Sequence, residues 1–209
     1  SYRTAPVALR ERLAIAAGEL EAELKALCGL GGVSEVVLVS TCNRVEAYVG
    51  AQDAGAAQEG VLRHFERRVP PEAEERGELG QHIYTRSGRE AVHHLFRVAA
   101  SLDSMVVGEP QILGQVKEAY DAAGRAGTLG TFLGNCFPRA FRVARRARRE
   151  TGIAQNPTSV SSVAVELAHQ VFEGFKDRLV LLVGAGKMAA LAARALKARG
   201  ARLVVTNRT

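Results

Sequence analysis

The segment from Leu179 to Thr206 constrains the fold more tightly than any other stretch. Leu179-Val180-Leu181-Leu182-Val183 is an unbroken apolar run of strand length. Gly184-Ala185-Gly186-Lys187-Met188-Ala189 follows, then a helix over Ala190 to Arg199 and a second apolar strand over Ala201 to Val205. Strand, G-x-G-x-x-A, helix, strand is the pattern of a dinucleotide-binding unit with a parallel sheet. The first Gly allows the tight turn, the second lets a pyrophosphate approach the backbone, and Ala189 is the small residue where helix meets strand. The helix N-terminus offers unpaired N–H groups to the phosphates. A Gly-rich corner without a ligand is the alternative. The second strand runs into Thr206-Asn207-Arg208-Thr209, with no acid to read a ribose 2′-hydroxyl and an Arg in its place. That favours NADP over NAD. The cofactor-binding candidates are Gly184, Ala185, Gly186, Lys187, Met188, Ala189, Asn207 and Arg208.

Upstream, Glu35 to Gly50 organises the rest. Val36 to Val39 reads as a buried strand. Val45, Ala47 and Val49 alternate with Glu46 and Tyr48 as a half-buried one. Ser40-Thr41-Cys42-Asn43-Arg44 forms the polar tip between them. Cys42 there is either a reachable nucleophile, with a cation two residues away to favour its thiolate, or a small packing residue at a strand end.

Helices are expected over Val7 to Ile15, Glu19 to Leu27 and Ala54 to Val69, a loop over Glu72 to Gly80, and a short strand over His82 to Thr85. This mixture suggests an α+β domain with an antiparallel sheet. From Gly88 the pattern turns helical. Glu90 to Leu102 has Ala91, Leu95, Val98, Ala99 and Leu102 on one face, His93 on the polar side and His94 at the stripe's edge. Gln111 to Ala123 follows Gly108-Glu109-Pro110, with Pro110 suited to the first helical position. The helix Thr131 to Glu150 holds six arginines among the eleven residues Arg139 to Arg149. They form either a solvated face or a phosphate-binding one. Thr151 to Thr158 reads as a boundary and Ser159 to Phe172 as a connecting helix. The chain thus divides into 1–153, an α+β domain, and 154–209, the start of a Rossmann-type unit, α/β overall. It opens without Met and stops directly after a strand, so a fragment of a longer protein is expected.

A net charge of +6 favours an acidic or phosphate-bearing partner. Three cysteines make no paired framework, which points to a reducing, cytoplasmic setting. Histidines and cysteines show no ligand spacing, so no metal is expected, and no apolar run is long enough to argue for a membrane.

A thiol at a strand end, a basic helix and an NADP motif together resemble the glutamyl-tRNA reductase family. The residues that carry this are Ser1 to Val7, Ser40 to Arg44, the block Leu95 to Tyr120, Arg149 to Ile153 and Gly184 to Thr209. The resemblance implies Cys42 as the nucleophile and His94 as a histidine important for activity. It implies a glutamyl pocket of Thr41, Asn43, Arg44, Ser104, Glu109, Pro110, Gln111 and Gln115, with Arg44 pairing the substrate carboxylate. It further implies NADPH-dependent reduction of glutamyl-tRNA(Glu) to glutamate-1-semialdehyde through a Cys42 thioester, the first step of five-carbon tetrapyrrole (porphyrin) biosynthesis. A homodimer of the full-length enzyme and channelling to glutamate-1-semialdehyde aminomutase are implied as well. Two other readings stand beside it: a non-catalytic NADP-sensing module in which Cys42 is structural, and a tRNA-binding protein.

Overall fold

In the computed structural model, which describes residues 1–70, 73, 75–154 and 159–207, the Glu35–Gly50 region forms an antiparallel hairpin. Strand β1 (Val33–Ser40) pairs with β2 (Val45–Ala51) in a register running from Val33 opposite Ala51 to Ser40 opposite Val45. Val36 to Val39 are all buried, because helices cover both faces of β1. These helices are α2 (Leu20–Cys28), α6 (Gln111–Ala126) and α7 (Thr131–Glu150), with α5 (Gly88–Ala99) packed on α6 and α7. Their Leu24, Leu27, Leu95, Val98, Val116, Phe137 and Phe141 form one core with the strand. Helix α1 (Val7–Leu13) precedes these, and α3 (Ala54–Glu66) follows the hairpin, capped by Asp53, whose side chain accepts from the Gly55 and Ala56 N–H groups.

Two expectations fail between α3 and α5. Residues 75–82, read as the end of a loop and the start of a strand, form helix α4 (Glu75–His82), and 83–87 are irregular. The single apolar residue Leu79 decides this region: it is fully buried with Leu9 of α1 and Val69, which holds a helical turn that weak propensity does not announce. The antiparallel sheet therefore has two strands among the described residues. Helix α5 also stops early, at Ala99. Leu102 lies exposed beyond it, because Ser101 turns the chain with a positive φ of 62°. Pro110 stands at the N-cap of α6, one residue before the first helical position.

A second core gathers Val165, Phe175, Leu196 and Ala201. It joins α8 (Val160–Val171), β3 (Leu179–Val183), α9 (Lys187–Ala198) and β4 (Arg202–Thr206). β3 and β4 are parallel, Leu179 opposite Arg202, as the crossover requires. Helix α9 begins three residues before the expected Ala190, immediately after the second glycine of the loop. The fold is mixed α/β: helices around an antiparallel hairpin, then a short parallel βαβ unit.

Candidate active site

The four residues between Ser40 and Val45 close the hairpin around one threonine. The Thr41 N–H donates to the Arg44 carbonyl at 2.8 Å, and the Thr41 hydroxyl accepts the Asn43 and Arg44 N–H groups, each at 3.2 Å. Cys42 at the tip is exposed. From α1, the Arg10 guanidinium donates to the Cys42 carbonyl and to Asn43 Oδ1. The Tyr2 N–H donates to the Asn43 carbonyl at 2.8 Å. A thiol is thus held on a fastened turn and reachable from outside.

A cavity of about 100 Å³ opens beside it. Thr41, Cys42, Asn43, Arg44, Ser104, Glu109, Gln111 and Gln115 line it, together with Met105, Ile112, Val160 and Met188. Most of the expected glutamyl-pocket residues therefore meet in one place; Pro110, exposed at the N-cap of α6, does not line it. The strip from Ser101 to Glu109 is held by Ser101, whose hydroxyl donates to the Glu109 carbonyl at 2.9 Å and whose carbonyl accepts the Gly108 N–H at 3.0 Å. Burial raises the Glu109 carboxyl above its ordinary value, so it keeps its proton to higher pH than an exposed glutamate.

Arg44 is buried, 1 % accessible, although it stands in the hairpin turn. Its guanidinium donates to Glu46 Oε1 at 2.6 Å and to the Asp103 carbonyl, and its Nη2 stands 3.6 Å from Asp103 Oδ1. Glu46 is the hub of a buried polar cluster. It also receives the Tyr48 hydroxyl at 2.6 Å, the Tyr84 hydroxyl and His94 Nε2 at 3.2 Å. His94 Nδ1 lies 3.8 Å from Asp103 Oδ2 and its ring meets Tyr84 edge-on, so His94 stands within this cluster and outside the cavity lining. Burial pushes the Glu46 carboxyl up, but the His94 hydrogen bond and the Arg44 charge outweigh it and hold the group down at about 2. Burial and the Glu46 charge push the Tyr48 and Tyr84 hydroxyls up, so both remain donors.

Sequence reasoning passed over Glu46, Asp103, Tyr84 and Arg10. A signal for Glu46 was present: Arg44, Glu46 and Tyr48 recur every second residue of a strand and so share one face. The apolar alternation of Val45, Ala47 and Val49 drew attention to the other face, yet Glu46 is more buried than any of them.

At the dinucleotide motif, the Gly184 N–H donates to the Thr206 carbonyl at 2.7 Å, joining the loop to the end of β4. Gly184 has a φ of +107°, a conformation open to glycine. A Cβ at Gly184 or Gly186 would meet nothing within 4 Å, and no side chain caps α9 at Gly186. An open loop face at an uncapped helix N-terminus fits a dinucleotide phosphate. Ala185, Met188 and Asn207 are exposed and Ala189 half-buried. Met188 also reaches the Cys42 cavity, its carbonyl accepting the Ser161 hydroxyl at 3.1 Å. Arg208 lies outside the described residues.

Residues 1–151 match the family described as Glutamyl-tRNAGlu reductase, N-terminal domain. The chain belongs to the glutamyl-tRNA reductase family. Residues 166–209 match a second family, Shikimate / quinate 5-dehydrogenase. The whole chain is 52 % identical to the glutamyl-tRNA reductase of Solibacter usitatus and covers 49 % of it. It is 49 % identical to glutamyl-tRNA reductase 2 of Anaeromyxobacter dehalogenans and covers 45 % of that protein. The solved glutamyl-tRNA reductase of Methanopyrus kandleri superimposes on all of the chain with a TM-score of 0.64 at 38 % identity, the match covering 48 % of that structure. The chain spans about half the length of these relatives.

Proposed function

We propose that residues 1–153 carry the acyl-transfer half of glutamyl-tRNA reduction and that 154–209 begin the unit that holds NADPH. The observation that carries this is the exposed Cys42 on its fastened turn, beside a cavity lined by hydroxyl, amide and carboxyl side chains. Cys42 Sγ attacks the ester carbonyl carbon of glutamyl-tRNA(Glu). A C–S bond forms, the ester C–O bond breaks, and the tRNA leaves with its 3′-terminal oxygen as a hydroxyl after taking a proton. Thr41, Asn43, Ser104, Gln111 and Gln115 supply hydrogen bonds to the glutamyl group, and Glu109 adds a carboxyl to the same wall. Arg44 is neutralised in part by Glu46 and Asp103, so it meets a substrate carboxylate as one member of a cluster. His94, tied to Glu46, acts by fixing that cluster or by moving a proton through it.

The Gly184–Ala189 loop with Asn207 and Arg208 would hold NADPH, which when bound supplies the reducing equivalents that release the acyl group as glutamate-1-semialdehyde. The absence of an acid at the end of β4 sets the preference for NADPH over NADH, and Arg208→Glu reverses or shrinks it. An unchanged ratio of the two affinities would place the reading of the 2′-phosphate elsewhere. The test of the acyl step is incubation with glutamyl-tRNA(Glu) radiolabelled on glutamate. Label should become bound to the protein through a bond that hydroxylamine cleaves, and Cys42→Ser should abolish it while Cys28→Ser and Cys136→Ser retain it. Full labelling of Cys42→Ser would remove the mechanism.

A further inference from the structure

Helix α7 carries its arginines on two sides with different fates. Leu133, Phe137, Ala140, Phe141 and Ala144 are buried. On the opposite side Phe132, Asn135, Arg139, Arg142, Arg146 and Arg149 are all exposed, at steps of three, four, three, four and three residues. Such steps keep one stripe on the helix surface. The stripe's one acid is Glu150, paired with Arg146 at 2.6 Å, and exposed Arg145 flanks it. Successive arginines lie about 5 Å apart along the axis, and the four span about 15 Å. The same length of one nucleic-acid strand carries about four phosphates, one per ~3.4 Å of axis, and Phe132 places an exposed aromatic side chain at the far end.

Arg148 leaves the stripe. Its Nη1 donates to the Gly108 carbonyl at 3.1 Å. Gly108 (φ +84°) is pressed against Ile153 so closely that a Cβ there would come within 2.1 Å of the Ile153 carbonyl oxygen. The next residue, Glu109, lines the Cys42 cavity. The C-terminal turn of α7, through a residue on the side away from the stripe, is therefore joined directly to the wall of the thiol pocket.

We propose that the Arg139–Arg142–Arg146–Arg149 stripe is the phosphate track for the 3′ end and acceptor stem of the tRNA, aligned so that the ester arrives at Cys42. This deepens the reading of the substrate as an aminoacylated tRNA, and rests on it. The argument is charge complementarity on a rigid helix, together with its junction to the pocket. The part of a tRNA within one helix length of its ester is its acceptor stem.

The test uses binding of unacylated tRNA(Glu) to Cys42→Ser protein, followed by fluorescence anisotropy over a range of salt, so that it does not depend on acyl transfer. Replacing Arg139, Arg142, Arg146 and Arg149 by Gln should weaken binding about tenfold or more near 100 mM salt and lower the slope of log K against log salt by about 3. A charge-matched control, Lys25, Arg63, Arg67 and Arg125 to Gln, removes exposed cations from other helices and should leave the slope within about one unit. Competition by an acceptor-stem minihelix, and none by an anticodon hairpin, is expected for the native stripe. Circular dichroism and the alkylation rate of Cys42 in otherwise native protein should match for all three forms, showing that fold and pocket survive. An unchanged slope in the stripe variant, an equal loss in the control, or competition by the anticodon hairpin alone would overturn the proposal. So would binding to vesicles of acidic phospholipid with none to tRNA. Failure of Cys42 labelling with tRNA binding intact would instead remove the acyl-transfer reading and leave the track standing.

Discussion

Glu46 shows how one side chain can hold a polar cluster together without lining the cavity beside it. Its folded-state pKa of about 2 lies below the ordinary 4.5, so its contribution is fully present above about pH 5 and is lost as pH falls toward 2. A shift of that size corresponds to about 3 kcal/mol. Glu46→Gln should therefore cost about 3 kcal/mol at neutral pH, leaving Arg44 buried without its nearest counter-charge. Its denaturation curve should lack the acid slope, so that mutant and wild type converge near pH 2. Urea titrations at several pH values decide this, and parallel curves would place the charge balance on Asp103 instead. The cysteines make a second prediction. Cys42 is exposed, whereas Cys136 is half-buried and burial raises its thiol, with Arg139 opposing. Iodoacetamide should modify Cys42 before Cys136, read by peptide mass spectrometry under native conditions. A faster Cys136 would contradict the geometry of the turn.

Helix α7 depends on a contact that no local pattern announces. It has no side-chain N-cap; instead Glu35 of β1 accepts the Phe132 and Leu133 N–H groups at 2.9 and 2.6 Å. A carboxylate at a helix N-terminus also meets the favourable end of the helix dipole. Gly130 makes room for it: a Cβ there would stand 2.4 Å from the Glu35 carboxyl. Gly130→Ala and Glu35→Ala should each destabilise by about 2 kcal/mol, and the double variant by less than the sum, because both break one contact. Full additivity in chemical denaturation would show that the two act separately. This separates what the sequence disclosed from what it did not. Elements with a strong apolar period were legible: both strands of the hairpin, α7 to the residue, and β3 and β4 within one. Helix α4 was not, since Leu79 is the one apolar residue in its sequence and is anchored by partners distant in sequence, Leu9 and Val69. The residues Thr41, Asn43, Arg44, Gln111 and Gln115 were named by the family resemblance and not by local pattern, and the fold brings them to one cavity. Glu46, Asp103 and Arg10 are joined by long-range hydrogen bonds and needed the fold.

At the scale of the whole molecule, the two cores are unequally closed. The hairpin core is covered on both faces, whereas Leu179, Leu181, Val183, Val204 and Val205 of the parallel pair are exposed in the 209-residue chain. A parallel sheet is ordinarily buried on both sides, so this pair is a weak platform for a dinucleotide when the polypeptide is expressed alone. The proposed acyl transfer would make no such demand, because the Cys42 turn and the polar residues of its cavity are carried by the hairpin and the helices packed on it. The 209-residue polypeptide should accordingly take glutamate from tRNA onto Cys42 and then lose it to water. The expected product is free glutamate, with no semialdehyde, and NADPH should change neither its amount nor its rate. Chromatography of the labelled product separates the outcomes. NADPH-dependent semialdehyde from this polypeptide alone would show that β3, α9 and β4 suffice to seat the cofactor. An ester left intact would show that the cavity beside Cys42 takes its working shape only with further covering of Val160 and Met188, the two wall residues contributed by α8 and α9.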